Sequence, residues 1–272
     1  MDLRGYSSRD IDLTNEDAVM SLAPEFDLQT AVIMCSMVKK EFGDNLDNYE
    51  KNVAMAVNLA RALGKNPVKR FIYLSSTAVY GEDVTNTSIT EASNVCPTSY
   101  YGMAKYASER LLEKVVGSNK NSSLVCVRPP LIYGPEDNSS VYGPVSFVKK
   151  AVNGETITLW GDGTELREFL FIDDFVTIVG RLLSSDYDGA INVVSGHSYT
   201  FKEALDVISK ISGSRLNVNS RERSKNKADH AFDNKGMLSL LPELKFTKLE
   251  PGLLKIYEYE SQQSKVLSSR KG

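Results

Sequence analysis

Phe71-Ile-Tyr-Leu-Ser-Ser-Thr-Ala-Val-Tyr-Gly81 is the stretch on which the reading of the fold turns. It opens with an unbroken apolar run and passes into consecutive hydroxyl side chains. A strand without polar alternation must be covered on both faces, which is the condition of a parallel sheet layered between helices. In open sheets of that kind ligands bind beyond the carboxyl ends of the strands. Ser75, Ser76 and Thr77 therefore stand where a site would form, the bland alternative being that they only close the strand.

Working outward, Ala31 to Cys35, Ser123 to Arg128 and Ala190 to Val194 repeat the pattern of Arg70 to Ser75 and are read as further buried strands. Helix-length stretches lie between them. Asn52 to Leu63 puts Val53, Val57, Ala60 and Leu63 on one face and is stopped by Gly64. Thr98 to Val116 is a second helix, Asp17 opens an earlier one after Thr14, and Thr200 with Glu203 forms a capping box ahead of a late one at Phe201. Alternating strands and helices make an α/β fold with a doubly wound parallel sheet.

After about residue 135 the texture changes. Loops are expected around Asn138 to Gly143 and Gly161 to Thr164, with extended runs Thr156 to Trp160 and Glu168 to Ile172 among them. The division expected is a main domain of residues 1–135 plus about 175–195, a smaller α/β lobe of residues 136–174 plus 196–261, and a polar, frayed tail at 262–272. Arg4 to Ser8 is read as the end of a strand.

With a net charge of −3, the chain offers no electrostatic reason to bind nucleic acid or an anionic membrane. Arg221, Arg223, Lys225 and Lys227 are its nearest approach to a basic run, read as a solvated loop from which Arg223 could reach an anionic substrate. The cysteines, Cys35, Cys96 and Cys126, are odd in number and show no CxxC spacing, which argues against a disulfide framework and a zinc site. No bound metal is expected. There is no signal-peptide pattern at the start and no apolar run near the roughly 20 residues that span a bilayer, so the expected location is the cytoplasm.

The chemistry is suggested by Tyr101-Gly-Met-Ala-Lys105, on the helix that follows the hydroxyl-ended strand. Residues four apart on a helix share a face, so a phenol and an ammonium can meet in one site. A free phenol ionises about three units above neutrality, and about 4 kcal/mol of preferential phenolate stabilisation closes that gap. A fixed cation in a site of reduced dielectric supplies much of it. Tyr and Lys are common on helix surfaces, so the spacing decides only together with the serines upstream.

The ordered runs LSSTAVYG, TSYYGMAK, Arg128-Pro-Pro-Leu-Ile-Tyr-Gly-Pro135, Trp160-Gly-Asp-Gly-Thr-Glu-Leu-Arg-Glu-Phe169 and Phe171-Ile-Asp-Asp174 resemble the extended short-chain dehydrogenase/reductase family, the epimerases, reductases and dehydratases of nucleotide-linked sugars. The likeness extends from about residue 8 to 258. It implies a Rossmann-type main domain binding NAD or NADP, a C-terminal lobe binding a nucleotide sugar, and a homodimer formed through the helices around Asn52 to Leu63 and Thr98 to Val116.

Residue by residue, the resemblance implies Ser76, Tyr101 and Lys105 as catalytic. Tyr101 would be the general acid/base, and Lys105 would hold the nicotinamide ribose while lowering the tyrosine pKa. Arg9, Asp12, Leu13, Asn52, Pro129 and Pro130 would border the cofactor, with Asn52 alternatively a helix cap. Ser76, Thr77, Arg167 and Arg223 would meet the substrate, Arg167 at the diphosphate, where a guanidinium fork suits phosphate oxygens. The alternative for Arg167 is an ion pair with Glu165 or Glu168. Thr77 and Ala78 stand where the family's dehydratases carry Asp and Glu, and Ala78 also removes the Cys used by the epimerase-reductases, which leaves epimerisation or keto reduction.

Nothing in the sequence reads as strand, G-x-x-G-x-x-G, helix; Gly161 and Gly163 open no helix. Family members carry such a unit ahead of the point matched by the start of this chain. Either the sequence is a fragment of a longer enzyme, the favoured expectation, or it binds a dinucleotide poorly, as a catalytically impaired or regulatory homologue would.

Overall fold

The computed structural model of the protein describes residues 2–137, 143–223 and 226–269. In chain order its elements are α1 (Glu16–Met20), β1 (Ala31–Met34), α2 (Leu46–Lys65), β2 (Arg70–Leu74), β3 (Asn86–Ile89), α3 (Tyr100–Val116), β4 (Ser123–Arg128), β5 (Leu131–Tyr133), α4 (Pro144–Asn153), β6 (Ile157–Trp160), β7 (Leu166–Phe171), α5 (Ile172–Leu183), β8 (Gly189–Asn192), β9 (Ser198–Thr200), α6 (Phe201–Ser212), β10 (Val218–Arg221), β11 (His230–Phe232), α7 (Lys235–Leu240) and α8 (Leu249–Ser269). They divide into two compact units: Met1–Glu82 with Ser93–Arg128 and Gly180–Asn192, and Asp83–Ala92 with Pro129–Val179 and Val193–Gly272.

The first unit is built on a parallel sheet of order β1-β2-β4-β8. Phe71 and Tyr73 point into a core shared with Met55, Leu59 and Leu63 of α2 and Leu112 and Val116 of α3, while Ile72 is fully buried on the opposite face. Each such large apolar side chain contributes on the order of 2 kcal/mol. The Asn45 side chain accepts from the Asn48 amide, so α2 begins at Leu46 and not at Asn52. Its first turns mix Leu46 and Tyr49 with Asp47, Asn48, Glu50 and Lys51, and Leu46 is exposed.

Arg4 to Ser8 is not a strand end. Arg4 and Tyr6 reach Glu25, and the Ser7 carbonyl accepts from Asp10 and Ile11 in a turn closed by the Asp10 carboxylate. Ser7 thus spends both its backbone groups within this turn.

The second unit holds a β5-β7-β9 sheet and two parallel pairs, β10-β6 and β11-β3. Tyr133, Phe147, Phe169, Phe171, Phe201, Leu253 and Ile256 form its core, ringed by edge-to-face aromatic contacts. Pairing with β11 places Asp83–Ala92 here, and Pro129–Val179 also belongs here, so the boundaries differ from those expected from texture. The Thr200–Glu203 capping box opens α6. The expected frayed tail is helix as far as Ser269, in a stretch without Gly or Pro. The loop expected around Asn138 to Gly143 lies, apart from Gly143, outside the described residues, as does Lys225.

Candidate active site

At the carboxyl end of β2 the chain turns sharply. Ser75 donates its amide to Val127 O at 2.7 Å, and Ser76 caps a short 3-10 turn, Thr77–Tyr80, by accepting from the Ala78 amide at 3.1 Å. The turn ends at Gly81, whose φ of 95° is one that L side chains rarely adopt.

Helix α3 starts beside this turn. Ser99 caps it, accepting from Gly102 N at 3.0 Å and donating to Glu82 at 2.5 Å, and the Tyr101 amide donates to Asp44 at 3.0 Å. Gly102 is what lets the helix come close: a Cβ there would lie 2.6 Å from the Ala78 carbonyl oxygen. The helix is thereby pressed against the turn carrying Ser76, with Tyr101 at the contact. Gly102 was visible inside the YxxxK spacing, and its role was not read.

Tyr101 is half-buried, and its hydroxyl donates to Met37 Sδ at 3.7 Å. Burial pushes its pKa well above the ordinary phenol value, the Ser76 side chain pulls it partly back, and Glu82 raises it. Lys105, fully enclosed, donates to the Leu74 carbonyl at 2.5 Å and lies 4.9 Å from the Tyr73 ring centroid and 5.8 Å from that of Tyr101. Burial pushes the ammonium down to about 8 against the opposing charges of Glu109 and Cys35. Desolvation is the largest of the influences on Tyr101, so the phenol is raised. At neutral pH the Tyr101 phenol keeps its proton.

Beneath Lys105, one turn on, Glu109 is gripped by Arg128 at 2.9 and 2.6 Å. Arg128 also donates to Tyr80 Oη at 2.8 Å, which donates to Asn192 Oδ1 at 2.8 Å. Burial alone would lower the Arg128 guanidinium, and the hydrogen bond and charge of Glu109 more than reverse it. This network went unread, although an arginine ending an apolar strand calls for a buried partner.

Asn52 is no helix cap. Its amide clamps the Val38 backbone, accepting from N at 2.7 Å and donating to O at 3.1 Å. Arg9 is exposed, Asp12 accepts from Thr14, and the Leu13 carbonyl accepts from Asn58 at 3.0 Å. Thr77 is half-buried in the turn, Pro129 is buried and Pro130 half-buried. So Ser76, Tyr101 and Lys105 come together, while Arg9 and Asp12 belong to local turns and Leu13 is held by Asn58 of α2.

In the second unit Arg167 pairs with Glu165 and donates to the Leu166 and Ala228 carbonyls, and Arg223 pairs with the same Glu165 and lies 3.7 Å from Asp162. Asp162, Arg221, Glu222 and Arg223 line an open cavity of about 980 Å³. Among the described residues Glu168 has no ion-pair partner: it accepts from the Ser195 and Gly196 amides, and burial pushes its carboxyl up to about 7.

Hydroxyl, phenol and ammonium at a strand end fit the ribose and nicotinamide end of a dinucleotide. The Ser75 hydroxyl, buried and without a partner among the described residues, adds a free polar group there. The pyrophosphate end calls for a glycine-rich turn, and this sequence has none.

The model of the NAD dependent epimerase/dehydratase family matches residues 3–194. A GDP-mannose 3,5-epimerase of Arabidopsis thaliana is 30% identical over 179 residues, covering 61% of this chain and 47% of its own. The chain thus spans about half the length of the curated relatives it matches. Among solved structures, a UDP-glucuronic acid 4-epimerase from Bacillus cereus in complex with UDP-glucuronic acid and NAD superposes with a TM-score of 0.82 at 23% identity, covering 93% of this chain and 80% of that one. A UDP-glucose 4-epimerase from Thermotoga maritima with UDP-glucose gives 0.82 at 22%, covering 93% and 84%. Identities this low establish likeness of fold alone.

Proposed function

The chain belongs to the NAD dependent epimerase/dehydratase family, and we propose that it works on a nucleotide-linked sugar as an epimerase or ketoreductase, with Tyr101 moving the proton. The observation that carries this reading is the close approach at Gly102, which sets the Tyr101 phenol against Ser76 on a helix whose Lys105 is fastened to the same strand end.

Tyr101 gives its proton to a carbonyl oxygen becoming a hydroxyl, and takes one back from a hydroxyl in the reverse direction. Ser76 holds that oxygen beside the phenol. Lys105, changing charge near pH 8, stabilises the phenolate once the proton has gone. A nicotinamide dinucleotide, NAD or NADP, would be held through its ribose by Tyr101 and Lys105 and would supply hydride exchange at the sugar carbon. Arg167 and Arg223 converge on Glu165, with Asp162 also 3.7 Å from Arg223, and two guanidinium forks so close together suit a diphosphate that competes with those carboxylates.

The reading includes a homodimer through α2 and α3, supported by the exposed Leu46, Tyr100 and Met103. It includes a cytoplasmic location; among the described residues no helix is long and apolar enough to cross a membrane.

The test is turnover of UDP-glucose, UDP-glucuronic acid or GDP-mannose with NAD or NADP, followed by NMR of the product sugar. Tyr101→Phe should abolish turnover and retain NADH or NADPH binding, measured by fluorescence. Undiminished turnover in that variant would refute the assignment of Tyr101, and failure of the parent chain to bind either dinucleotide would refute the enzymatic reading.

A further inference from the structure

The hydroxyl of Tyr101 has a neighbour that no part of the reaction explains. Met37 lies in the segment between β1 and α2, half-buried, and its Sδ accepts the Tyr101 hydroxyl at 3.7 Å. Whatever exchanges a proton with Tyr101 must bring an oxygen to roughly 2.6–3.2 Å from the phenol. That oxygen and the sulfur compete for the same approach, because the phenol has a single proton to give. A thioether is a weak acceptor, so an alcohol or carbonyl oxygen displaces it.

The displaced side chain cannot travel far. Its backbone is anchored one residue on, where the buried Asn52 amide holds both polar groups of Val38 at 2.7 and 3.1 Å. Only the side-chain torsions remain free, and methionine has enough of them to swing aside without the main chain moving. After that swing the thioether rests against the carbon that carries the reacting oxygen.

We propose that Met37 is a specificity-determining residue: its thioether packs on the sugar around the reacting carbon and sets how bulky the neighbouring substituents can be. The proposal rests on the functional reading above and adds to it a residue outside the proton-transfer group.

Two measurements test it. The first compares kcat/KM for UDP-glucose, UDP-glucuronic acid and GDP-mannose in the parent, Met37→Ala, Met37→Leu and Met37→Phe proteins. Met37→Phe should lower kcat/KM for all of them by about tenfold or more, and Met37→Ala should change the ratio between sugars by about tenfold, the scale on which apolar pockets discriminate. Met37→Leu, close in volume, should stay near the parent, and NADH affinity should not change. The second follows the methyl resonance of Met37 in protein labelled with methyl-13C methionine, assigned by its loss in Met37→Leu, as each sugar is added with NADH; a shift is expected on binding.

Turnover that depends on Tyr101 but keeps the same sugar ratio in every Met37 variant would overturn this inference and leave the functional reading standing. So would a sugar that binds by calorimetry without moving the Met37 resonance. Absence of binding and turnover with all of these sugars would overturn both.

Discussion

Arg128 holds both carboxylate oxygens of Glu109, at 2.9 and 2.6 Å, with the two side chains only 6% and 4% exposed. A pair so enclosed is costly to break from one side, because the survivor is left as an unmatched buried charge. Glu109→Ala should destabilise the protein by about 3–5 kcal/mol. The double variant Glu109→Leu with Arg128→Met should lose less than the sum of the single losses. Urea denaturation of the variants measures this, and additivity would contradict it.

Lys105 makes stability depend on pH. Its folded-state pKa of about 8 lies below the ordinary 10.5, so between those values the unfolded chain binds a proton that the folded chain does not. Stability should rise with pH through that window, by on the order of 3 kcal/mol. Lys105→Met should flatten the rise. Urea midpoints from pH 7 to 10.5 decide the matter.

Glu168 acts in the opposite sense. Its carboxyl is raised from 4.5 to about 7, so between those values the folded chain holds the proton and the unfolded chain has released it. Its contribution is complete below 4.5 and falls away as pH rises to 7, again by on the order of 3 kcal/mol. Glu168→Gln should be less pH-sensitive across that range, as read from melting temperatures in matched buffers.

Gly102→Ala would ordinarily favour a helix by about 1 kcal/mol. Here the added methyl meets the Ala78 carbonyl oxygen at 2.6 Å, and backbone cannot step aside as a flexible side chain can. The variant should be destabilised by about 1–3 kcal/mol, and its turnover should fall by more than its stability implies, because the retreating helix takes Tyr101 from Ser76. Equal activity at saturating substrate would show that the close approach is dispensable.

Much of this was legible in the residues. The apolar runs at Phe71 and Ser123 are strands of one parallel sheet, and Thr200 with Glu203 caps α6 as its spacing indicates. What stayed hidden was long-range. Met37 reaches Tyr101 across 64 positions, and Glu109 meets Arg128 because a helix and a strand are packed, not because of any local pattern. The phenol's burial was hidden for a similar reason: a four-residue spacing shows that a cation is near, whereas the desolvation that raises the Tyr101 pKa belongs to the packed core. The helical reading of Asn52 to Leu63 misses the first turns of α2, which begins at Leu46 under the Asn45 cap, and α8 was not read at all.

The ammonium of Lys105 is seated on the carbonyl of Leu74, where β2 gives way to the ledge bearing Ser76. A rivet at that spot makes the stalk of Tyr101 and the ledge of Ser76 one mechanical piece. Slippage of the helix along the sheet would have to rupture a sheltered ammonium–carbonyl bond before it could carry Tyr101 away. Warming should then extinguish reactivity and local order in the same step, not one ahead of the other.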